Sequence, residues 1–243
     1  MLKRFIYYIL ICSICFVTIE LTLRFLAYET YQIPEYSFVS SPKECFSNSS
    51  NLGIDLVPGK FEIDINNGLI HTVTHNADSN RICSTANLDT LTKETFILGG
   101  SYTYGTGIND FETFPYLLQQ EFKNTKFTNY AVPGYGTTHA LLQLKNQITK
   151  GHIPQSVIIA YATFHEERNQ MNKTYQYKLT KGIELNELTL NKLIFPYFDL
   201  EKNAIDFIDI VSDFKPLPFR KQSATINLIE QVFLKNEAKK LQE

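Results

Sequence analysis

The chain has 243 residues, of which 44% are hydrophobic and 20% charged, and a net charge of -2. That length suits one sizeable domain rather than two. A near-neutral balance with no long block of one sign excludes a nucleic-acid surface, and no low-complexity tract or internal repeat interrupts the chain.

Lys3 and Arg4 precede an apolar run from Phe5 to Ile19, and Glu20 and Arg24 then interrupt a second apolar patch, Leu21 to Ala27. The first run is short of the about 20 apolar residues of a spanning helix and long for a signal-peptide core of about 7–15. No small-x-small cleavage site follows, and Ile11 and Ile14, not small residues, precede Cys12 and Cys15. Residues 1–27 therefore read as an uncleaved signal anchor. Residues 5–27 would contact the membrane, with the basic pair kept inside and the body outside the cytoplasmic membrane. A cleaved signal peptide and an amphipathic helix packed on a soluble core are the other readings. Cys45 and Cys83 lie in the body, where an oxidising compartment would allow a disulfide; two free thiols are the alternative. Neither has a CxxC partner or a histidine cluster nearby, so no metal is implied.

Residues 28–52 are polar and rich in Pro, Ser and Asn, and read as a linker or irregular cover. Leu56-Val57-Pro58-Gly59 is a turn signal. Phe61, Ile63 and Ile65 alternate with polar residues, Asn66-Asn67-Gly68 follows, and Ile70, Thr72 and Thr74 alternate again. This predicts a β-hairpin with an Asn-Gly turn. His71 and His75 fall on one face of its second strand. Without carboxylate or cysteine company they read as solvated.

Phe96-Ile97-Leu98 is an apolar run fit for a buried strand, and Gly99-Gly100-Ser101-Tyr102-Thr103-Tyr104-Gly105 follows. A serine there stands at a strand's carboxyl end, where open α/β sheets build their sites; a solvated turn serine is the bland reading. A helix is predicted from Asp110 or Thr113 to about Lys123, with Pro115 in its first turn. Phe127 to Val132 is a second strand ending in Pro133-Gly134-Tyr135-Gly136. Thr137 to Thr149 is a helix with Ala140, Leu141, Leu144 and Ile148 at helical spacing. Val157 to Tyr161 is a third strand, apolar enough to be buried on both faces. The βαβαβ order predicts a parallel sheet with right-handed crossovers. All three strand ends then lie on one edge, bringing together Ser101, Gly134 and Thr163-Phe164-His165. His139 and His152 read as helix-surface or loop residues.

Residues 99–105 resemble the first block of the SGNH (GDSL-like) hydrolases, whose usual form is Gly-Asp-Ser followed by an aromatic or hydrophobic residue. Asn129-Tyr130-Ala131-Val132-Pro133-Gly134 is similar to their second block, at the family's usual interval. Leu56-Val57-Pro58-Gly59 and the Asn76 to Arg81 pattern look like the family's membrane-anchored subgroup. The likeness covers roughly residues 54–169. It implies a three-layer, flavodoxin-like parallel α/β fold over residues 91–243, with residues 28–90 as linker and hairpin cover. It also implies acyl transfer through a serine ester. Ser101 would be the nucleophile, the N–H groups of Ser101 and Gly134 the oxyanion donors, and the substrate a small-molecule, glycan or lipid ester; no cofactor is implied. The chain departs from the family at three places. Gly100 replaces the aspartate of the first block. A gapless placement of the third block, usually Gly-x-Asn-Asp, puts Phe164 on its asparagine and His165 on its aspartate. No histidine follows His165, whereas the family's base arrives late in an Asp-x-x-His block. His165 is thus a replacement base or a wall of the site. The fold is expected to be incomplete at its carboxyl end, as a truncated or degenerate copy, and a catalytically inactive binding protein is the alternative function.

The rest of the chain is plainer. Asn169 to Leu190 reads as polar and irregular. Phe195-Pro196-Tyr197-Phe198 and Ile205 to Phe214 form a candidate hairpin. Ala224 to Leu241 is a helix with Ile226, Ile229, Phe233 and Leu234 on one side.

Overall fold

A mixed α/β body accompanies an apolar amino-terminal helix. The structure is a computed structural model and describes residues 2–32, 38–66, 68–185, 193–210 and 216–240. Internal contacts divide the chain into two units, Met1–Pro34 with Phe214–Glu243, and Glu35–Asp213.

In the first unit, helix α1 (Leu2–Phe25) is long and apolar enough to cross a membrane. It runs unbroken past Glu20 and Arg24 because these charges sit four residues apart and pair at 2.8 Å. The expected carboxyl-terminal helix is present at Ala224–Lys240.

The second unit opens with antiparallel structure. Strands β1 (Phe38–Ser41), β4 (Gly59–Ile65) and β5 (Leu69–His75) form a sheet in the order β1-β4-β5, and β2 (Phe46–Ser49) pairs with β3 (Gly53–Leu56). The β4–β5 hairpin is the predicted one, closing at Ile65 opposite Leu69. Residues 28–52 are not simply irregular cover, since β1 and β2 lie within them. The rings of Phe38 and Phe46, 5.6 Å apart, anchor these two short strands, while Ser and Asn fill positions whose polarity hid the pattern. The predicted solvation of His71 and His75 is also corrected. Both are 3% exposed, because they share the inward face of β5 with Val73.

The parallel sheet has β6 (Glu94–Leu98) between β7 (Lys126–Asn129) and β8 (Ser156–Ile159). Helices α2 (Ser101–Tyr104) and α3 (Phe114–Glu121) connect β6 to β7, and α4 (Thr137–Thr149) connects β7 to β8. Thr113 caps α3 as predicted, its hydroxyl accepting from Tyr116 N–H with proline in the first turn. Strand β8 is not buried on both faces: Val157, Ile158 and Ile159 are 37%, 36% and 50% exposed, whereas β7, the other edge of the sheet, is packed under α3. Helices α5 (His165–Gln170) and α6 (Lys173–Leu185) occupy much of the stretch expected to be irregular; residues 186–190 of that expectation lie outside the described residues. Strands β9 (Ile194–Asp199) and β10 (Ala204–Asp209) form the expected hairpin, and 211–214 again lie outside the described residues.

Arg81 joins the two larger sheets through single bridges to His75 and Asn129. The main core lies beside it: Phe61, Ile63, Ile65 and Val73 of the hairpin pack with Tyr104, Ala131, Val132 and Tyr135. Cys45 and Cys83 are free thiols in separate clusters. Burial pushes them up to about 11 and about 12.

Candidate active site

Strand β6 ends at Leu98, and Gly99 and Gly100 turn the chain so that Ser101 becomes the first residue of α2. A Cβ on Gly99 would meet the Thr103 side chain, which explains the glycine there. The single turn of α2 stops at Gly105, whose φ of +88° places it in the left-handed region; its N–H donates to Ser101 O at 2.8 Å. Gly134, at φ +90°, shapes the loop after β7 in the same way, and Val132 N–H ties that loop to Gly99 O at 3.3 Å. Among the described residues, neither Ser101 N–H nor Gly134 N–H donates a hydrogen bond.

Behind Ser101 the loop 104–110 is held from one side by β5 and Arg81. Arg81 is buried and donates to the carbonyls of Tyr104 (2.6 Å), Gly105 (2.6 Å) and Ile108 (2.7 Å), and to Asp110 Oδ1 (3.0 Å). Thr72 and Thr74 N–H donate to the side chains of Asn109 and Asp110 at 2.9 and 3.1 Å. His75 Nδ1 faces Val57 O at 2.7 Å and so carries the proton, leaving Nε2 to accept from Tyr104 Oη at 2.8 Å. Gly107 N–H donates to His71 Nε2 at 3.2 Å. Burial holds both histidines below the usual range, with Arg81 adding to the effect. They are structural acceptors for the loop behind the serine, not groups facing it. Asn129 closes the other side, donating to Thr103 O at 3.2 Å while accepting from Ala131 N–H.

The third strand delivers α5 to the same edge. A Cβ placed on Gly100 would lie 2.7 Å from Arg168 Nη1, 2.9 Å from Tyr135 O and 3.4 Å from His165 Nε2. The segments around Ser101, Gly134 and His165, expected together from strand order, therefore do converge. The same distances leave no room for a side chain at position 100. Arg168 Nη1 donates to Tyr135 O at 2.7 Å, and its guanidinium lies 4.3 Å from the centre of the Phe164 ring. His165 is 2% exposed, with the rings of Phe164 and Tyr161 edge-on at 4.9 and 5.7 Å. Burial lowers its pKa and the Arg168 charge lowers it further. Its Nδ1 is buried with no hydrogen-bond partner among the described residues. Tyr102, 79% exposed, stands beside Phe164 at 5.5 Å between ring centres.

Two further groups support the second glycine loop. Tyr175 Oη donates to Gly134 O at 2.8 Å. Asn169 Oδ1 accepts from Thr138 N–H at 3.0 Å, and its Nδ2 donates to Thr137 Oγ1 at 2.5 Å. Asn169 and Tyr175 fall in the stretch expected to be irregular, and Arg168 stands among the charges just before it. The helical spacing from His165 to Arg168 to Asn169 was the available signal. His139 was expected on a helix surface and is instead fully buried, stacked on Tyr135 at 4.3 Å. The first turn of α4 faces the Gly136 loop, so Thr138, His139 and Ala140 point inward while Leu141 and Ile148 are exposed. Gly136 N–H donates to His139 Nδ1 at 3.2 Å. Full burial, with the Arg168 and His165 charges, pushes His139 down to about 3. His152 is exposed on the loop before β8.

A polar cleft of about 650 Å³ runs along β7, lined by Glu94, Lys126 and Lys150 at one end and by Arg81, Asn129 and Tyr130 at the other, and Ser101, Gly134 and His165 are not part of its wall. Comparison with known protein families and with curated proteins gives no match to this chain.

Proposed function

We propose that the chain is an SGNH-type serine ester hydrolase with a flavodoxin-like core, anchored by α1 and acting outside the cytoplasmic membrane on an O-acyl ester of a glycan, lipid or small molecule. One observation carries this reading: Ser101, at the carboxyl end of β6, shares its sheet edge with His165 Nε2 and with the left-handed Gly134 loop. A neutral imidazole is the form that accepts a proton, and burial with the Arg168 charge favours that form.

In this mechanism Ser101 Oγ bonds the ester carbonyl carbon as its proton passes to His165 Nε2. The carbonyl oxygen takes the negative charge and the N–H groups of Ser101 and Gly134 face it, each such donor being worth about 3 kcal/mol in general. Collapse breaks the bond to the alcohol, which leaves with the proton from Nε2. Water, deprotonated by the same nitrogen, then releases the acid and restores the serine. Tyr102 and Phe164 supply an aromatic flank for an acyl chain or sugar ring.

A second reading has its own observation. Among the described residues His165 Nδ1 has no carboxylate or carbonyl to orient it, and Phe164 stands where the family has an oxyanion asparagine. Both favour a binding protein that keeps the fold without the chemistry. A fluorophosphonate probe separates the two. The hydrolase reading expects labelling of the wild type and none of Ser101→Ala, with an acid limb of the labelling rate below about pH 6.5, the ordinary histidine value. Well-folded wild type that stays unlabelled while retaining an acylated glycan on a pull-down overturns it in favour of binding.

A further inference from the structure

The carboxyl-terminal helix, α7 (Ala224–Lys240), is built with its polarity reversed. Apart from Ala224, its buried residues are polar: Thr225, Asn227 and Glu230. Asn227 Nδ2 donates to Glu29 O at 3.0 Å, and Glu230 accepts from Leu217 N–H at 2.8 Å and from Arg220 Nη1 at 3.2 Å. Its outward residues are Ile229, Val232 and Phe233, spaced i, i+3, i+4 and exposed by 43%, 48% and 67%. A surface helix in water carries the opposite arrangement, and a contiguous apolar face of this kind marks an interaction surface.

The start of α7 is fixed to the end of α1. The Glu20 carboxylate accepts from Ser223 Oγ (2.8 Å), Ala224 N (2.9 Å), Thr225 N (3.0 Å), Thr225 Oγ1 (2.8 Å) and Arg24 Nε (2.8 Å). Arg24 Nη2 donates to Gln222 O at 2.7 Å. An acidic side chain inside an apolar helix is costly in a membrane unless it is paired; here it is saturated by the cap of α7. Tyr31 N–H donates to Arg220 O at 2.9 Å, and the Arg220 guanidinium lies 4.0 Å from the Tyr31 ring centre. The apolar face of α7 thus begins within two turns of the carboxyl end of a helix fit to span a bilayer. That is the level at which acyl chains give way to headgroups. Lys235, Glu237, Lys239 and Lys240 follow the apolar residues in sequence, a net basic composition that suits anionic headgroups.

From this we infer that α7 is a membrane-interface helix, laying Ile229, Val232 and Phe233 into the lipid surface beside the exit of α1. The inference rests on α1 being membrane-embedded and is independent of the chemistry at Ser101. Lipid is the occupant, not a second copy, because the face is continuous with the helix that enters the bilayer and is coupled to it by a hydrogen-bonded cap.

The absence of Trp from the chain makes the test direct. The full chain is reconstituted in vesicles of phosphatidylcholine and phosphatidylglycerol, with one tryptophan introduced at a time and with lipids brominated at a shallow or a deep acyl position. Phe233→Trp is expected to lose about half its emission to the shallow bromines, as an interfacial depth of about 5–10 Å requires. Gln231→Trp, on the other side of α7, is expected to lose little. Val17→Trp reports on α1: its quenching by deep bromines shows that the anchor is inserted. An unquenched, water-exposed Phe233→Trp beside a quenched Val17→Trp overturns the inference. A blue-shifted Phe233→Trp that no bromine reaches also overturns it, because protein then covers the face. An unquenched Val17→Trp overturns the membrane reading of α1 and this inference with it.

Discussion

Gly100 is the residue on which the site's geometry turns. Its φ of -103° is open to any residue, so its requirement is space and not backbone freedom. An added methyl would stand 2.9 Å from Tyr135 O, which is main chain and cannot yield cheaply, and 2.7 Å from Arg168 Nη1, which can. Gly100→Ala is therefore expected to push the guanidinium off Tyr135 O and move Ser101 relative to His165. The cost is about 1–3 kcal/mol in stability for overpacking. On the hydrolase reading, probe labelling of Ser101 falls by about 100-fold, as misplacement by about 1 Å at a reacting centre does. Gly68→Ala, where a methyl meets nothing within 4 Å, is the matched control and is expected to change neither. Urea titration and labelling kinetics on the two variants check this, and a Gly100→Ala protein that labels at the wild-type rate would contradict the packing argument.

At the scale of elements, the β4–β5 hairpin serves the loop behind Ser101. Strand β5 offers N–H groups and two imidazoles to residues 104–110, and Arg81 gathers the carbonyls of that loop at one buried guanidinium. A lysine there has a single ammonium and cannot reach the carbonyls of Tyr104, Gly105 and Ile108 together with Asp110. Arg81→Lys is expected to cost about 3 kcal/mol or more, the range for disrupting a buried ion pair, and, on the hydrolase reading, to lose Ser101 labelling even where the protein still folds. Lys126→Gln, which removes the half-exposed pair with Glu94, is expected to stay within about 0.5 kcal/mol. Denaturant midpoints of both variants decide. These elements were unequally legible in the sequence. The hairpin, β6, α3 and α4 were readable because period and punctuation agreed: Asn-Gly at one turn, Thr-Phe-Pro at a cap, Gly-Gly-Ser at a strand end. Strands β1 and β2 were hidden, since they are four residues long and their burial does not follow polarity: Val39 is exposed while Ser40 and Ser49 are half-buried. The exposure of β8 was misread because an apolar run shows what a strand is able to bury and not whether it has a neighbour. The burial of His71, His75 and His139 was hidden for a related reason. His71 and His75 are held by Gly107 N–H, Val57 O and Tyr104 Oη, far away in sequence, and His139 by the Tyr135 ring and Gly136 N–H, and no hydrophobic period announces such contacts. The convergence of Ser101, Gly134 and His165 was legible from strand order alone, while Arg168 needed the geometry of α5.

For the whole molecule the four buried histidines make acid the natural denaturant. His71, His75, His139 and His165 are all held below the ordinary value, chiefly by burial, and His139 reaches about 3. The unfolded chain takes up a proton at each near pH 6.5, while the folded chain does so only at lower pH. Above about pH 6.5 both states are neutral at these rings and pH has no hold on stability through them. As pH falls below that value the unfolded state binds more protons than the folded one, so unfolding becomes easier, by about 1.4 kcal/mol per pH unit for each histidine still neutral in the fold. For His139 the window runs from about pH 6.5 down to about 3. For the other three it opens at the same upper limit and closes at their own lowered values. The expected outcome is a urea midpoint that is flat from pH 8 to 7 and then falls steeply through pH 6 and 5, measured by tyrosine fluorescence on the full chain in vesicles. The contribution of one ring is isolated by comparison. His139→Phe, which keeps the stack on Tyr135 without a titrating nitrogen, should flatten the slope between pH 6 and 4 by about one proton's worth. If the His139→Phe slope equals that of the wild type, His139 is charged in the fold, and its full burial beside Arg168 is wrong.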